Sequence, residues 1–249
     1  MMVEEQLLMR FLITLVCLVG PCFGQHDSVE DLLENFRSGK DQLHAVGYMS
    51  RVTTPDPRIL AGLVDLFDRT DDPHIQWQIA GAMLQKHDPN PRYFDILSSA
   101  MLSAIEANPP DVAFDTWCSE LSLPIEECQK KYGSLTLTFL FMPASLSKDP
   151  RFIPIFRKGI SARMYSIWAY TSGGLMMLGD KESIPAVAKR IARDFSTDPV
   201  QITRLLGFDD PRADLIAFEL AKSDPKTLDM LRKRMIERPE LMKKLTEGK

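Results

Sequence analysis

The sequence predicts an all-helical protein of about seven stacked helix pairs, and three observations predict it. Seven Asp-Pro dipeptides punctuate the chain, at Asp56, Asp72, Asp88, Asp149, Asp198, Asp210 and Asp224. An aspartate carboxylate accepts from the unpaired amides of a first helical turn, and proline is preorganised for the first helical position, so each dipeptide reads as a helix start. Marking the first residue of each pair gives Asp27, Asp56, Asp88, Ser119, Asp149, Asp180 and Asp210, at intervals of 29, 32, 31, 30, 31 and 30 residues. A fixed period of this length belongs to stacked units, none of which can bury its apolar face alone. Between the marks the apolar residues keep helical spacing. After Asp180, Ile184, Val187, Ala188, Ile191, Ala192 and Phe195 share one side, and Lys189, Arg190 and Arg193 share the other.

Residues 1–24 are read apart from the helices. FLITLVCLV, residues 11–19, follows Arg10 and precedes Gly20, Pro21, Cys22 and Gly24, the three-part pattern of a signal peptide with cleavage after Gly24. The run is too short to span a bilayer. Glu4 and Glu5 do not suit a positive leader, and a start at Met9 gives the more compact signal. Export to a periplasmic or secreted location follows as the expectation, leaving residues 25–249 as one helical domain with no integral membrane span. Pro21 makes Cys22 a poor lipid-anchor site, so anchoring there is the lesser variant. Cys118 and Cys128 remain after cleavage; an even count in an exported chain reads as a disulfide, two buried thiols being the alternative.

In order along the domain, Asp27 and Glu30 suit a capping box for a helix bearing Val29, Leu32, Leu33 and Phe36, which ends at Ser38-Gly39-Lys40. Ile59, Leu60, Leu63, Val64 and Phe67 then pair with Ile75, Ile79, Ala82 and Met83. Tyr93 through Ala104 mark a long helix closed by Asn108-Pro109-Pro110. The fourth unit has a short helix from Pro124 to Tyr132, stopped at Gly133. Its second segment, SLTLTFLFMPASL, alternates like a strand, but an isolated strand in a helical stack has no partner, and helix is the reading kept. Pro154 and Pro185 stand at equal offsets from Asp149 and Asp180, each in a first turn. Gly179 takes the left-handed position that ends one helix before Asp180 starts the next. Leu215, Ile216, Phe218 and Leu220, then Leu228, Met230, Leu231 and Met235, form the last pair, and the charged PELMKKLTEGK caps the array.

These units resemble the short bacterial HEAT-like repeats, including the type first described in phycobilisome lyases. Asp56-Pro57-Arg58-Ile59-Leu60 through Asp72-Pro73-His74-Ile75, Asp149-Pro150-Arg151-Phe152-Ile153-Pro154, and Leu178-Gly179-Asp180 carry the resemblance, over about residues 27–237. The fourth unit lacks Asp-Pro and the sixth has a short second helix. The resemblance implies an all-α α-solenoid of antiparallel helix pairs whose second helices line a concave face that binds proteins. It brings no catalytic residues across.

No phosphate-binding loop, nucleophile elbow, His-Glu-x-x-His pair or dinucleotide fingerprint occurs. His26, His44, His74 and His87 are scattered, and most carboxylates are assigned to caps, so no metal or cofactor is expected. The formal charge of -4 implies no partner class. The basic cluster around Arg232, Lys233, Arg234, Arg238, Lys243 and Lys244 is diluted by Glu237 and Glu240, and export argues against nucleic acid. Trp77 and Trp168 lie on second helices, where a ring anchors an interface or packs on the adjacent unit. With Gln76 and Arg163 beside them they are the candidate partner-binding residues. The expectation is a non-catalytic scaffold for another protein or peptide; the alternative is an enzyme or lyase-like protein with a small-molecule pocket at Trp77 or Trp168. Mass analysis of the mature protein is expected to show Gln25 as its first residue, and a thiol-reactive reagent to find no free cysteine.

Overall fold

The computed structural model describes residues 28–39, 56–107, 124, 126–127, 134–222 and 224–235. Among them every regular element is helical and no strand occurs. The α-helices are α1 (Val29–Ser38), α2 (Pro57–Arg69), α3 (Pro73–Gln85), α4 (Pro91–Ala107), α5 (Ser134–Ser147), α6 (Ile153–Gly159), α7 (Tyr165–Met177), α8 (Ile184–Asp194), α9 (Pro199–Arg204), α10 (Pro211–Ala221) and α11 (Pro225–Met235). Single 3-10 turns precede α6 and α8, and another, Leu205–Phe208, continues α9. Residues 1–24, expected as a leader, the second half of the first unit, Cys118, Cys128 and most of the segment expected as the short fourth-unit helix lie outside the described residues.

Caps fix the helix starts much as the aspartates foretell. The carboxylates of Asp56, Asp72, Asp149 and Asp210 each accept from the backbone amide two residues on, and Asp198 and Asp224 each accept from two amides. Two starts differ from the sequence reading. At α1 the capping box uses Ser28 and Asp31, one residue beyond the expected pair, because the Ser28 hydroxyl reaches the Asp31 amide at 3.1 Å while Asp31 bonds back to the Ser28 amide. At α4 Asp88 accepts from the Asn90 amide, and Asn90 in turn accepts from Arg92. Asn90-Pro91 thus takes the role that Asp88-Pro89 was expected to play.

Helix ends are equally regular. α7 closes with Gly179 left-handed (φ 67°); its amide bonds to Met176 and that of Asp180 to Leu175, the crossed pair of a Schellman motif. α3 closes the same way on His87 (φ 60°), with His87 bonded to Leu84 and Asp88 to Met83. Lys148 (φ 56°) and Asp209 (φ 50°) occupy the same backbone region. At four junctions, therefore, a left-handed residue stands directly before an aspartate: His87-Asp88, Lys148-Asp149, Gly179-Asp180 and Asp209-Asp210.

Packing explains why the ambiguous fourth-unit segment is helix. Leu137, Leu140, Phe141 and Ala144 of α5 are all buried, at helical and not alternating spacing. Pro143 sits inside α5 and cannot donate to Phe139 four residues back. The Gln78 side chain of α3 donates to that carbonyl at 3.3 Å instead. Gly81 admits the proline ring: a Cβ there would lie 2.3 Å from Pro143 Cβ. α6 and α7 lock similarly, a Cβ on Gly159 falling 2.3 Å from Thr171 Cγ2 and one on Gly174 falling 2.7 Å from the Phe156 ring.

Helices α3, α5 and α7 pack in a row, α3 against α5 and α5 against α7, while α2, α4 and α6 lie against them. A single apolar core joins the described helices from Leu32 to Leu231. On the outer helices, ion pairs tie one unit to the next: Arg58 to Glu30 at 3.0 Å, Arg92 to Asp68 at 2.6 Å, and Arg157 to Asp180 at 2.6 Å and Glu182 at 2.7 Å. Arg151 lies 4.4 Å from the Phe94 ring centre. Such exposed pairs contribute little singly. Asp180 differs because it is buried, 7% exposed, and also accepts from the Ser183 hydroxyl.

The Arg157 guanidinium and the Ser183 hydroxyl hold the Asp180 carboxyl below its ordinary value of 3.8. A depressed carboxylate stabilises the fold above its unfolded pKa and loses that contribution as pH falls through the folded one. Asp180→Ala is expected to cost about 1–3 kcal/mol at neutral pH in urea unfolding, since it strands Arg157 and the Ser183 hydroxyl. The difference from wild type should shrink as pH falls below 3.8.

Candidate functional site

Charge is distributed unequally between the two layers. Every outer helix carries it: α2, α4, α6, α8 and α10 expose Arg58, Asp95, Arg157, Lys189 and Arg212 among others. Helices α3, α5 and α7, by contrast, contain no Asp, Glu, Lys or Arg at any position. A helix without charge on any side is ordinarily enclosed on all sides. These three are not, and each keeps an open stripe.

On α3 the partly exposed residues include His74, Trp77 and Gln78; on α5 they are Phe139, Met142 and Leu146. On α7 Ser166, Tyr170, Gly173 and Met177 are open, spaced four, three and four residues apart on one helical side, and Tyr165 and Met176 are partly exposed beside them. Met177 and Leu146 are the most open large apolar side chains of the face, at 45% and 37%. Ring contacts bind the stripes together. His74 lies 5.6 Å from Trp77 and 5.2 Å from Phe139, and Tyr170 stacks on Phe141 at 6.2 Å while sharing a hydrogen bond with the Thr138 hydroxyl. Burial pushes the Tyr170 phenol above its ordinary value of 10.0, with the Thr138 bond acting the other way.

The candidate residues divide. Trp77 is half-buried and lies on this face. Gln76, next to it in sequence, turns back to donate to the Thr70 carbonyl at the end of α2 at 2.8 Å, a structural bond. Arg163 is exposed in the turn before α7. Trp168 is fully buried: its ring stacks 4.8 Å from Phe195 and 5.7 Å from Tyr165. The reading of Trp168 as a surface anchor is therefore corrected in favour of packing on the adjacent unit, because the turn after α8 folds Phe195 over it. With α5 between α3 and α7, the two tryptophans form no common site. Cys118 and Cys128 lie outside the described residues.

Tyr170, Met142 and Leu146 went unmarked as an interaction face in the sequence. The absence of charge from three successive second helices was the signal that could have found them. A separate cavity of about 320 Å3 lies between α1 and α2, beside Leu33, Phe36 and Gly62; Arg58 and Arg69 on its rim are occupied by Glu30, Asp56 and Asp65. Among the described residues no three His, Cys, Asp or Glu side chains gather as a metal site, and no helix is long and apolar enough to cross a membrane. No protein-family model, curated protein or solved structure matches this chain.

Burial separates the tryptophans energetically. Trp168→Ala is expected to lower stability by about 3–5 kcal/mol in denaturant unfolding, as a large core truncation does. Trp77→Ala should cost clearly less and leave the helical circular dichroism intact.

Proposed function

We propose that this chain is an exported HEAT-like α-solenoid of about seven antiparallel helix pairs, which binds another protein or peptide along the open face of its second helices without catalysis. One observation carries the reading: α3, α5 and α7 lack any charged residue, yet Trp77, Met142, Leu146, Tyr170 and Met177 on them stay partly or fully open. An uncharged patch this continuous is unusual on a surface that faces only water. Its composition, aromatic rings and methionine with charge pushed to the edges, is that of an interface centre. The four junctions of left-handed residue and aspartate support the solenoid arrangement, since they fall 61, 31 and 30 residues apart, multiples of about thirty, and a turn repeated at that spacing stacks each pair on the last with a similar offset. The catalytic alternative at Trp168 draws no support from a ring closed in on every side.

Selection of a displayed random-peptide library on residues 25–249 tests the reading. Binders are expected to compete for one site and to lose at least tenfold in affinity with Met142→Lys or Met177→Lys, variants that alter open positions and should retain the fold. Failure of the library to yield binders, or binders indifferent to both variants, would overturn it.

A further inference from the structure

At the α9 end of the uncharged face stands one arginine whose company differs from that of its counterparts. Arg58, Arg151, Arg157, Arg190, Arg193 and Arg212 each hold a carboxylate. Arg204 is drawn in against α7 and pairs with no carboxylate among the described residues. Its Nε donates to Gln201 Oε1 at 3.0 Å, and its Nη1 to the Ala169 carbonyl at 2.8 Å and the Ser172 hydroxyl at 3.4 Å, all neutral acceptors. The Tyr165 hydroxyl, which accepts from Gln201 Nε2 at 2.6 Å, also acts on it. Asp198 exerts a favourable field, but its carboxylate is committed to the Val200 and Gln201 amides. Burial pulls the guanidinium below its ordinary value. A guanidinium partly withdrawn from water whose hydrogen-bond acceptors are all neutral is incompletely compensated.

A second observation points the same way. The indole N–H of Trp168, whose ring lies 5.4 Å from the Arg204 guanidinium carbon, is buried and finds no acceptor among the described residues. Two donors in one cluster thus share a shortage of negative charge and acceptor capacity. The cluster also adjoins the open face. Arg204 Nη1 lies 3.7 Å from where a Cβ on Gly173 would stand, and Gly173 is in the exposed α7 stripe between Tyr170 and Met177, so the missing side chain leaves a path to the guanidinium.

We infer that Arg204, approached over Gly173 and flanked by the Tyr165 hydroxyl, is the anion-recognition point of this face and takes an Asp or Glu side chain of the bound peptide. The inference rests on the reading of the face as a peptide-binding surface. The apolar stripes supply area and the arginine supplies register: a carboxylate seated there fixes which residues of the peptide lie against Tyr170 and Met142. A guanidinium already fixed by neutral bonds loses little freedom when the acid arrives.

Acetyl-glutamate N-methylamide, titrated into the full chain at constant ionic strength, tests the site directly. The Trp168 indole and Arg204 Nε resonances are expected to shift saturably, and acetyl-glutamine N-methylamide is expected to leave them in place. Arg204→Met should weaken the response about 10- to 100-fold, the loss of a charge-assisted hydrogen bond, with the melting temperature recorded alongside. Should that variant fail to fold, Arg204→Lys keeps the charge without the fork and should weaken binding to a smaller degree. No saturable shift, or one unchanged by substitution of Arg204, overturns the inference and leaves the two donors to water. A second arm replaces each acidic residue of the selected peptides by its amide. Loss of affinity at one position, absent in Arg204→Met, supports the register role. Peptides that bind regardless of acid overturn the inference and spare the interaction face; a glutamate response without any selected peptide spares the anion site and overturns the face.

Discussion

A two-residue junction, one residue left-handed and the next an aspartate, is the constraint on which the rest of the structure depends. It occurs at His87-Asp88, Lys148-Asp149, Gly179-Asp180 and Asp209-Asp210. The left-handed residue reverses the chain after a second helix, and the aspartate begins the approach to the next first helix within the same turn. Across the first of these junctions α3 packs on α4, and across the last α9 and its 3-10 continuation pack on α10. Two of the junction carboxylates also hold basic side chains. Asp180 is buried against Arg157, and Asp210 accepts from Arg212 and lies 3.7 Å from Lys181 at the preceding junction, which together hold its carboxyl down to about 2. At Asp210 one carboxylate oxygen caps α10 through the Arg212 amide and the other faces Lys181, whereas Asp180 makes no side-chain cap bond and serves the tie alone.

With the turns fixed, the two layers take different chemistry. Outer helices meet water along a broad side and carry arginine and aspartate there. Second helices meet neighbours on both flanks, and their contacts are close enough to demand glycine at Gly81, Gly159 and Gly174. Close apolar contact on both flanks leaves little room for charge. The strip facing away from the outer layer remains, and nothing in the packing of the described helices obliges that strip to be apolar as well. Its uncharged character is the part of the structure that packing leaves unexplained.

Polar groups within this layer are handled locally. Pro143 would leave the Phe139 carbonyl without its helical donor, and Gln78 replaces it from the adjoining helix. Gln76 does the same for the Thr70 carbonyl at the end of α2. The Trp168 indole N–H and His74 Nε2, both buried in this layer, are exceptions that find no hydrogen-bond partner among the described residues.

Helix identity, most helix starts and the thirty-residue spacing were legible in the sequence because each is set by local interactions: a carboxylate two residues from the amide it caps, a proline with its fixed φ, apolar side chains at a period of 3.6. Gly179 announced its left-handed turn, whereas His87 and Lys148 did not, since neither residue type favours that conformation and only the surrounding hydrogen bonds impose it. Asn90 displaced Asp88 as the α4 cap through a choice between two adequate caps that lie two residues apart. Trp77 and Trp168 looked alike on their helices; which ring is enclosed depends on Phe195, 27 residues further on, folding over one of them. Arg204 drew no notice for the same reason: its neutral surroundings come from Ala169 and Ser172 on another helix. The sequence by itself determined where helices begin and which of their faces are apolar, because those follow from neighbours along the chain. Only the tertiary structure decided which apolar residues stay open and which charge goes unpaired, because both depend on residues that the fold alone brings together.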